Sequence, residues 1–509
     1  MSRSRKQAAV YSTIVGLVNS VITIILTFVL RTILLKCFST EYVGLYTVLT
    51  QTIGILVGFD AGLSSSIMIR IHKPIAENDI EKIRYTYFLV RVIYYVRSAL
   101  VLGFGTIIGL IMPRIIVTNI DVGDIYIYYF AYLMLNAVSY LFIFDYFMLE
   151  TVQKRYIASI AVGITNVVVS ILNILSIIYI RSYGLYIVLT ALNSIVGYFI
   201  CSRVFRRMYP TYLYKYKVDA SLLLEFKELF GMAIHTLSNT VVKHSETIII
   251  SAVVSLVSTG LYSNYHMIIT ALNTLVVQLT SSVKDPLRNI AVTSSFKKAM
   301  EYVKKVVFLY GMVMGIMCIT FCATADVFVT VFWGKENVFT SEYTVYLMAC
   351  SAFLLVIANP IVDYYYCKEM YIIDRYSPII EIILNIIISL FLGKLCGLDG
   401  IIMGTIITYA YRIIHRTSVL CKEEDKNQMK ELLVLYVKLL TTVICFSVIF
   451  TKLVKLLLNN YTIFSFILSA GIVCCISLLF IWVIYGRTSE FLYYKAYFID
   501  ILDNKIRRK

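Results

Sequence analysis

The sequence has few charged side chains and no polar segment long enough to fold as a separate domain. Only 15% of its residues are charged, whereas 60% are hydrophobic and the mean hydropathy is +0.82. Soluble proteins are about 45–50% apolar, so this composition excludes an ordinary soluble protein. The longest polar connection, residues 202–228, is shorter than the roughly 50 residues of a small domain, which leaves no room for a soluble catalytic domain.

Catalytic and metal-binding motifs are missing as well. The chain has no Walker loop, no HExxH helix and no GxSxG elbow, so nothing in it indicates ATP hydrolysis or hydrolase chemistry. Its 11 cysteines include no CxxC pair and no histidines at zinc spacing, and we expect them to be small core residues. The sequence therefore predicts no catalytic residues, no metal site and no cofactor.

Long apolar runs are abundant instead. A hydrocarbon core about 30 Å thick takes roughly 20 residues per helix. Windows of about 19 residues predict 14 spans, at 10–35, 43–69, 85–112, 124–149, 157–180, 183–201, 229–256, 261–283, 304–325, 343–366, 377–393, 399–420, 433–456 and 463–486. Because the runs are continuous and do not alternate with polar residues, we expect an all-α integral membrane protein and no β-barrel.

Basic residues are distributed unevenly between the connections of these spans. Most of the 46 Lys and Arg residues lie at the two termini and in alternate connections. Cytoplasmic loops carry such an excess, so we expect both termini to be cytoplasmic. Orientation and anionic lipid then account for the net charge of +16, and no nucleic-acid partner is expected.

Two short stretches of the chain recur 216 residues later. The matched residues are Ser39 with Ser255, Gly44-Leu45-Tyr46 with Gly260-Leu261-Tyr262, and Gly184 with Gly400. An internal repeat in a membrane protein predicts two pseudo-symmetric lobes that face a cavity, as in alternating-access carriers. We expect a six-helix lobe at 1–201, a cytoplasmic linker at 202–228, a second six-helix lobe at 229–420, and a final helix pair with a basic tail at 421–509.

Charged residues near the middle of a span are the candidates for a functional site, because each costs at least about 2.5–3.5 kcal/mol to insert. Lys243 and Glu246 are three residues apart in helix 7 and able to pair. Position 31 corresponds to position 247 in the second copy of the repeat, beside Glu246. This correspondence favours a cavity shared by Arg31, Lys243 and Glu246. Snorkelling to the headgroups is the alternative for Arg31.

Arg91 and Arg97 in helix 3 flank Tyr94 and Tyr95. Guanidinium groups bind phosphate through paired hydrogen bonds, and ring faces stack on sugars, so this segment suits a diphosphate that carries sugars. Snorkelling is again the alternative for Arg91. The other intramembrane polar candidates serve either as interhelical hydrogen-bonding groups or as a coupling-ion site. They are Asp60, Asp145, Asp363, Glu381 and Asn385.

Three regions of the chain resemble bacterial polysaccharide repeat-unit flippases. The stretches are FDAGLSSS at 59–66 with KPIAENDIEKI at 73–83, GLYSNY at 260–265, and DRYSPIIE at 374–381 with Asn385 and GIIMGT at 400–405. The resemblance implies the MATE-like fold of the multidrug, oligosaccharidyl-lipid and polysaccharide exporter superfamily. It also implies flipping of an undecaprenyl-diphosphate-linked oligosaccharide across the bacterial plasma membrane, for capsule, O-antigen or teichoic-type polymers.

Partners and rival functions follow from the same resemblance. The implied partners are the lipid-linked substrate, membrane lipid, and the polymerase and glycosyltransferases of the same pathway. Asp145 departs from the family pattern, in which Lys is common, and Glu246-Thr247 stands where Asp-Asn is common, so the cavity charge and the glycan are open. A drug/cation antiporter of the same superfamily is the first rival. A membrane glycosyltransferase or polymerase is the second, disfavoured by the lack of a catalytic loop.

Overall fold

The computed structural model describes residues 2–213, 221–280, 283–368, 370, 374, 376–421, 426–457 and 461–506. Within these ranges, side chains are described except at 2–14, 17, 59–70, 73, 76, 221–236, 285 and 498–506. No strand occurs among the described residues. The protein is all-helical, as its composition predicts.

Sixteen α-helices account for most of the described chain. They are α1 Ser2–Cys37, α2 Thr40–Glu77, α3 Ile80–Ile115, α4 Val122–Thr151, α5 Arg155–Leu175, α6 Tyr183–Met208, α7 Ser221–Val253, α8 Leu256–Thr280, α9 Lys284–Thr293, α10 Phe296–Trp333, α11 Glu342–Ile357, α12 Asn359–Cys367, α13 Ser377–Cys421, α14 Lys426–Leu457, α15 Ile463–Tyr485 and α16 Ser489–Ile506. Ten segments of the described chain are long and apolar enough to cross a membrane.

The predicted spans coincide with these helices, and two differences have local causes. The span predicted at 343–366 is divided into α11 and α12 at Pro360, which lacks the amide hydrogen that would continue the helix. The short helix α9 lies in a predicted loop. Its Leu287 and Ala291, four residues apart, are both buried, so one apolar face packs against α10 and α12.

Helix α13 reverses direction at Gly397, whose φ is 61° and ψ is −136°. Glycine adopts this region without a steric penalty. Across the bend, the Ser389 hydroxyl donates to the carbonyl oxygen of Ile401 at 3.2 Å. The predicted spans 377–393 and 399–420 are therefore the two arms of one helical hairpin.

The chain divides into two compact units, Met1–Gly260 and Leu261–Lys509. In the first unit, α4 packs on α3 and α6, α5 packs on α1 and α6, and α2 packs along α7. In the second unit, α10 is central and contacts α9, α11, α14 and α15. The lobe and linker boundaries at 201 and 229 stay predictions, and residues 214–220 of the linker lie outside the described chain.

A helix begins at the equivalent position in each of the two copies of the repeat. Ser39 precedes α2, which begins at Thr40, and Ser255 precedes α8, which begins 216 residues later at Leu256. In both copies, the glycine of the Gly-Leu-Tyr motif therefore lies one helical turn after the first residue of the helix.

Gly44 and Gly260 make reciprocal contacts at the crossing of these helices. A β-carbon on Gly44 would overlap the carbonyl oxygen of Leu256, and one on Gly260 would overlap the carbonyl oxygen of Thr40. Because Thr40 and Leu256 are themselves 216 residues apart, the contact has the form of a two-fold symmetric interface. Small residues allow membrane helices to approach this closely.

We expect Gly44→Ala and Gly260→Ala each to destabilise the protein by about 1–3 kcal/mol, because the added methyl group meets backbone atoms. Gly103→Ala is the matched control: Gly103 lies in α3 with open space around its β-carbon position, and alanine is the better helix former. The measurement is the unfolding midpoint of each detergent-purified variant. Equal midpoints for all three variants would show that the crossing does not depend on glycine.

Candidate functional site

Arg31 of α1 lines a cavity of about 190 Å³ inside the first unit, bounded by α1, α2, α5 and α6. The lining residues are Thr27, Leu30, Arg31, Leu34, Tyr46, Asn166, Val169, Ser170, Asn173, Tyr186, Thr190 and Asn193. None of these described side chains is acidic, and Arg31 is the one cation among them. The neighbours of Arg31 in this cavity thus come from its own unit.

Polar side chains of α5 and α6 form one wall of this cavity. The Asn193 amide donates to the Asn166 side-chain oxygen, and the Asn173 amide donates to the Thr190 hydroxyl, each at 3.1 Å. Asn166, Ser170 and Asn173 are spaced i, i+4, i+7, so they share one face of α5. That spacing inside an apolar helix is the sequence signal for the cavity, and none of these residues is among the predicted site residues.

Arg91 and Arg97 have different environments, although both lie on α3. Arg91 is half-buried, and its Nε donates to the Tyr95 hydroxyl at 2.7 Å. Arg97 is buried: Nη2 donates to the carbonyl oxygen of Val57 at 2.6 Å, and its guanidinium lies 4.7 Å from the centre of the Tyr140 ring. Arg97 therefore joins α3 to α2 and α4, whereas the guanidinium of Arg91 lies closer to the surface of the unit.

Asp145 is a buried anchor of the first unit. Its carboxylate accepts hydrogen bonds from the Tyr87 hydroxyl at 2.7 Å, the Ser202 hydroxyl at 2.5 Å and Arg206 Nε at 3.0 Å. These donors come from α3 and α6, so one carboxylate ties three helices together. Arg206, predicted to lie in the linker, belongs to α6 and supplies the counter-charge.

Helix α7 brings a polar cluster against α2. His244 Nδ1 is in hydrogen-bonding contact with the Gln51 side chain, and its ring lies against Gly54. Glu246 is buried, whereas Lys243 is exposed. No salt bridge between Lys243 and Glu246 is present among the described residues, because the two side chains occupy different environments.

The α13 hairpin holds a second buried carboxylate. Glu381 is 0% exposed and accepts two hydrogen bonds from Arg412 at 3.0 and 2.7 Å, with Arg416 Nη2 at 3.3 Å on its other oxygen. One turn away, the Asn385 amide lies 3.5 Å from the hydroxyl of Thr408 on the opposite arm. Both predicted residues therefore connect the arms of the hairpin.

The two arginines are the part of this cluster that the sequence does not reveal. By position, Arg412 and Arg416 belong to the basic connection at 412–432, yet they are 4% and 2% exposed. The Arg416 guanidinium lies over the Tyr365 ring at 5.5 Å, and the Tyr365 hydroxyl donates to Asp374 at 2.8 Å. Tyr365 thus connects Arg416 to Asp374. The only local sign of this cluster in the sequence is the four-residue spacing of the two arginines, which places them on one face of the helix.

The remaining candidates are less informative. Asp363 lies 3.6 Å from Lys284, and both side chains are partly exposed. The side chain of Asp60 lies outside the described residues. Within the described part of the chain, no three His, Cys, Asp or Glu side chains converge on a position that could hold a metal ion.

Three solved structures that resemble this chain are membrane transporters. One is the lipid II flippase MurJ in an inward closed conformation, with 16% identity, a TM-score of 0.64, and coverage of 92% of this chain and 98% of its own. An inward-facing multidrug resistance MATE family transporter of the MOP superfamily has 10% identity, a TM-score of 0.58 and coverage of 79% and 96%. The eukaryotic MATE transporter AtDTX14 has 15% identity, a TM-score of 0.55 and coverage of 84% and 98%. The fold is therefore that of MurJ and MATE transporters.

A family model described as polysaccharide biosynthesis protein matches residues 9–287, which is more than half of the chain. The chain belongs to this polysaccharide biosynthesis protein family. The match confirms the resemblance seen in its sequence motifs, and the structural neighbours confirm the MATE-like fold. No curated protein sequence matches the chain significantly.

We expect Glu381→Gln to destabilise the protein by about 3–5 kcal/mol, because it leaves Arg412 and Arg416 buried without the carboxylate between them. Glu150→Gln is the control: Glu150 pairs with Arg155, whose side chain is 66% exposed, so its loss should cost about 1 kcal/mol or less. Unfolding midpoints of the purified variants measure the difference. A loss no larger than that of the control would mean that this ion pair does not hold the hairpin together.

Proposed function

We propose that the protein is a flippase that moves an undecaprenyl-diphosphate-linked oligosaccharide repeat unit across the bacterial plasma membrane, for synthesis of a surface polysaccharide. The observation that carries the proposal is the family match over residues 9–287. The fold supports it, because a solved structure with this fold is a lipid II flippase. The classes of polymer made from this substrate are capsule, O-antigen and teichoic-type polymers. The substrate is collected from the cytoplasmic leaflet, on the side of the membrane where both termini lie.

The substrate imposes two physical demands. Its prenyl chain is soluble in the bilayer, whereas its diphosphate and sugars need polar partners during the crossing, because unpaired charges are costly in hydrocarbon. Arg91 and Lys243 suit the diphosphate best among the predicted residues, since Arg91 is only half-buried and Lys243 is exposed. Arg97 is bound to Val57 and Tyr140 within its unit, which favours a supporting role. Glu246, which is buried on the same helix as Lys243, adds a negative charge to this region.

A drug/cation antiporter is the second candidate, favoured by the MATE transporters among the structural neighbours. Antiport of a cation requires a carboxylate that can take up and release a proton or metal ion. The two most buried candidate carboxylates, Asp145 and Glu381, are instead each held by arginine. A guanidinium is effectively always protonated and competes with a coupling ion for these carboxylates, which favours the flippase.

Deleting the gene from a strain without a redundant flippase should leave lipid-linked repeat units in the cytoplasmic leaflet and remove the surface polysaccharide. A plasmid copy of the gene should restore the flipping of the lipid-linked units and the surface polysaccharide. The measurement is the surface polysaccharide, together with the accessibility of the lipid-linked units from outside the membrane. Unaltered surface polysaccharide would contradict the proposal, and a change of drug resistance without a glycan defect would select the antiporter.

Replacing Arg91 or Lys243 by Gln should lower export by about tenfold or more, because a charge-assisted hydrogen bond contributes roughly 1.5–3 kcal/mol. The matched controls are Arg114→Gln at the end of the same helix as Arg91, and Lys36→Gln, also exposed. Export is measured as surface polysaccharide at equal membrane levels of each variant. Normal export by both test variants would remove these residues from the substrate path.

A further inference from the structure

Arg206, near the end of α6, uses only one nitrogen of its guanidinium to hold the fold. Its Nε donates to Asp145 at 3.0 Å, and the group makes no other hydrogen bond within the described part of the chain. The side chain is 33% exposed, and Nη1 and Nη2 are not among the buried nitrogens. We propose that Arg206 and Arg91 together bind the diphosphate of the prenyl-linked substrate, a proposal that rests on the function proposed above.

Arg91 is held in the same manner on α3. Its Nε donates to the Tyr95 hydroxyl at 2.7 Å, and its Nη1 and Nη2 have no partner among the described side chains and are not buried. In each arginine, the Nε bond fixes the plane of the guanidinium and leaves the two terminal nitrogens for a ligand. A pair of N–H groups in this fixed geometry matches two oxygens of one phosphate group.

The two guanidinium groups lie near one another, on either side of Tyr87. The Tyr87 hydroxyl donates to Asp145 at 2.7 Å, and both Arg91 and Arg206 act on this hydroxyl electrostatically. Arg206 also interacts with Tyr95, the residue that holds Arg91. Two arginines around one carboxylate leave a net charge of about +1. A diphosphate has two linked phosphate groups, so each arginine has one phosphate to bind.

The depth of these residues suits a lipid headgroup. Arg206 lies in the last turn of α6, which ends at Met208, and Asp145 lies within two turns of the end of α4 at Thr151. The predicted topology places both of these helix ends on the cytoplasmic side. A prenyl diphosphate keeps its chain in the hydrocarbon and its charge at the headgroups. The site would therefore collect the substrate from the cytoplasmic leaflet.

The test compares two short ligands, farnesyl diphosphate and farnesyl monophosphate, on the purified full-length protein in detergent. The ligands share one prenyl chain and differ in one phosphate group. The wild type should bind the diphosphate about tenfold or more tightly than the monophosphate, because the second phosphate adds charge-assisted hydrogen bonds. Arg91→Gln should remove most of this preference. Arg207→Gln is the matched control, an exposed arginine in the same turn as Arg206, and should keep it.

Arg206 requires a pair of variants, because Arg206→Gln alone leaves Asp145 buried without its counter-charge. Asp145→Asn removes the carboxylate but keeps the arginine, so it should keep the preference for diphosphate. The double variant Asp145→Asn with Arg206→Gln should lose it. A purely structural role of Arg206 predicts equal preferences in these two variants.

Three results would overturn the paired site. They are equal binding of both ligands by the wild type, an unchanged preference in Arg91→Gln, and an unchanged preference in the double variant relative to Asp145→Asn. Each result concerns ligand binding in detergent, whereas the gene deletion tests export in cells. A failure of this site is therefore distinguishable from a failure of the proposed function.

Discussion

Every charge inside this apolar bundle needs a partner, because hydrocarbon and packed side chains solvate ions poorly. Each unit contains a buried carboxylate that binds arginine and so connects helical segments that pack together. In the first unit, Asp145 joins α3, α4 and α6 through Arg206 and two hydroxyl groups. In the second unit, Glu381 joins the arms of the α13 hairpin through Arg412 and Arg416.

Pairing also separates structural charges from charges that are available to a ligand. Arg97, like the paired carboxylates, has its bonds inside its own unit, so changing it disturbs packing before it disturbs transport. Arg91 and Lys243 are more exposed than Arg97. A functional study therefore has to compare variants at equal stability. Otherwise, the loss of a helix-joining ion pair would be mistaken for the loss of a substrate contact.

The sequence predicts the helices well and the partners of buried charges poorly. Apolar runs determine where a membrane helix lies, so all 14 spans correspond to helices, including the arms that meet at Gly397. A charge pair depends instead on which helices become neighbours. Glu381 and Arg412 are 31 residues apart and meet only because α13 folds back. Asn166, Ser170 and Asn173 show the intermediate case, since their spacing reveals a polar face of α5 but not the cavity it lines.

The 216-residue repeat links sequence to structure at the level of single atoms. Compositional bias alone can place Gly-Leu-Tyr twice in a chain this rich in tyrosine. It does not make Gly44 approach the carbonyl oxygen of residue 256 while Gly260 approaches that of residue 40. Such reciprocity arises when two related helices cross about a local two-fold axis, and it requires the smallest side chain on both sides. Because one mismatched residue would push the two helices apart, the glycine at each position is a condition for the symmetric crossing.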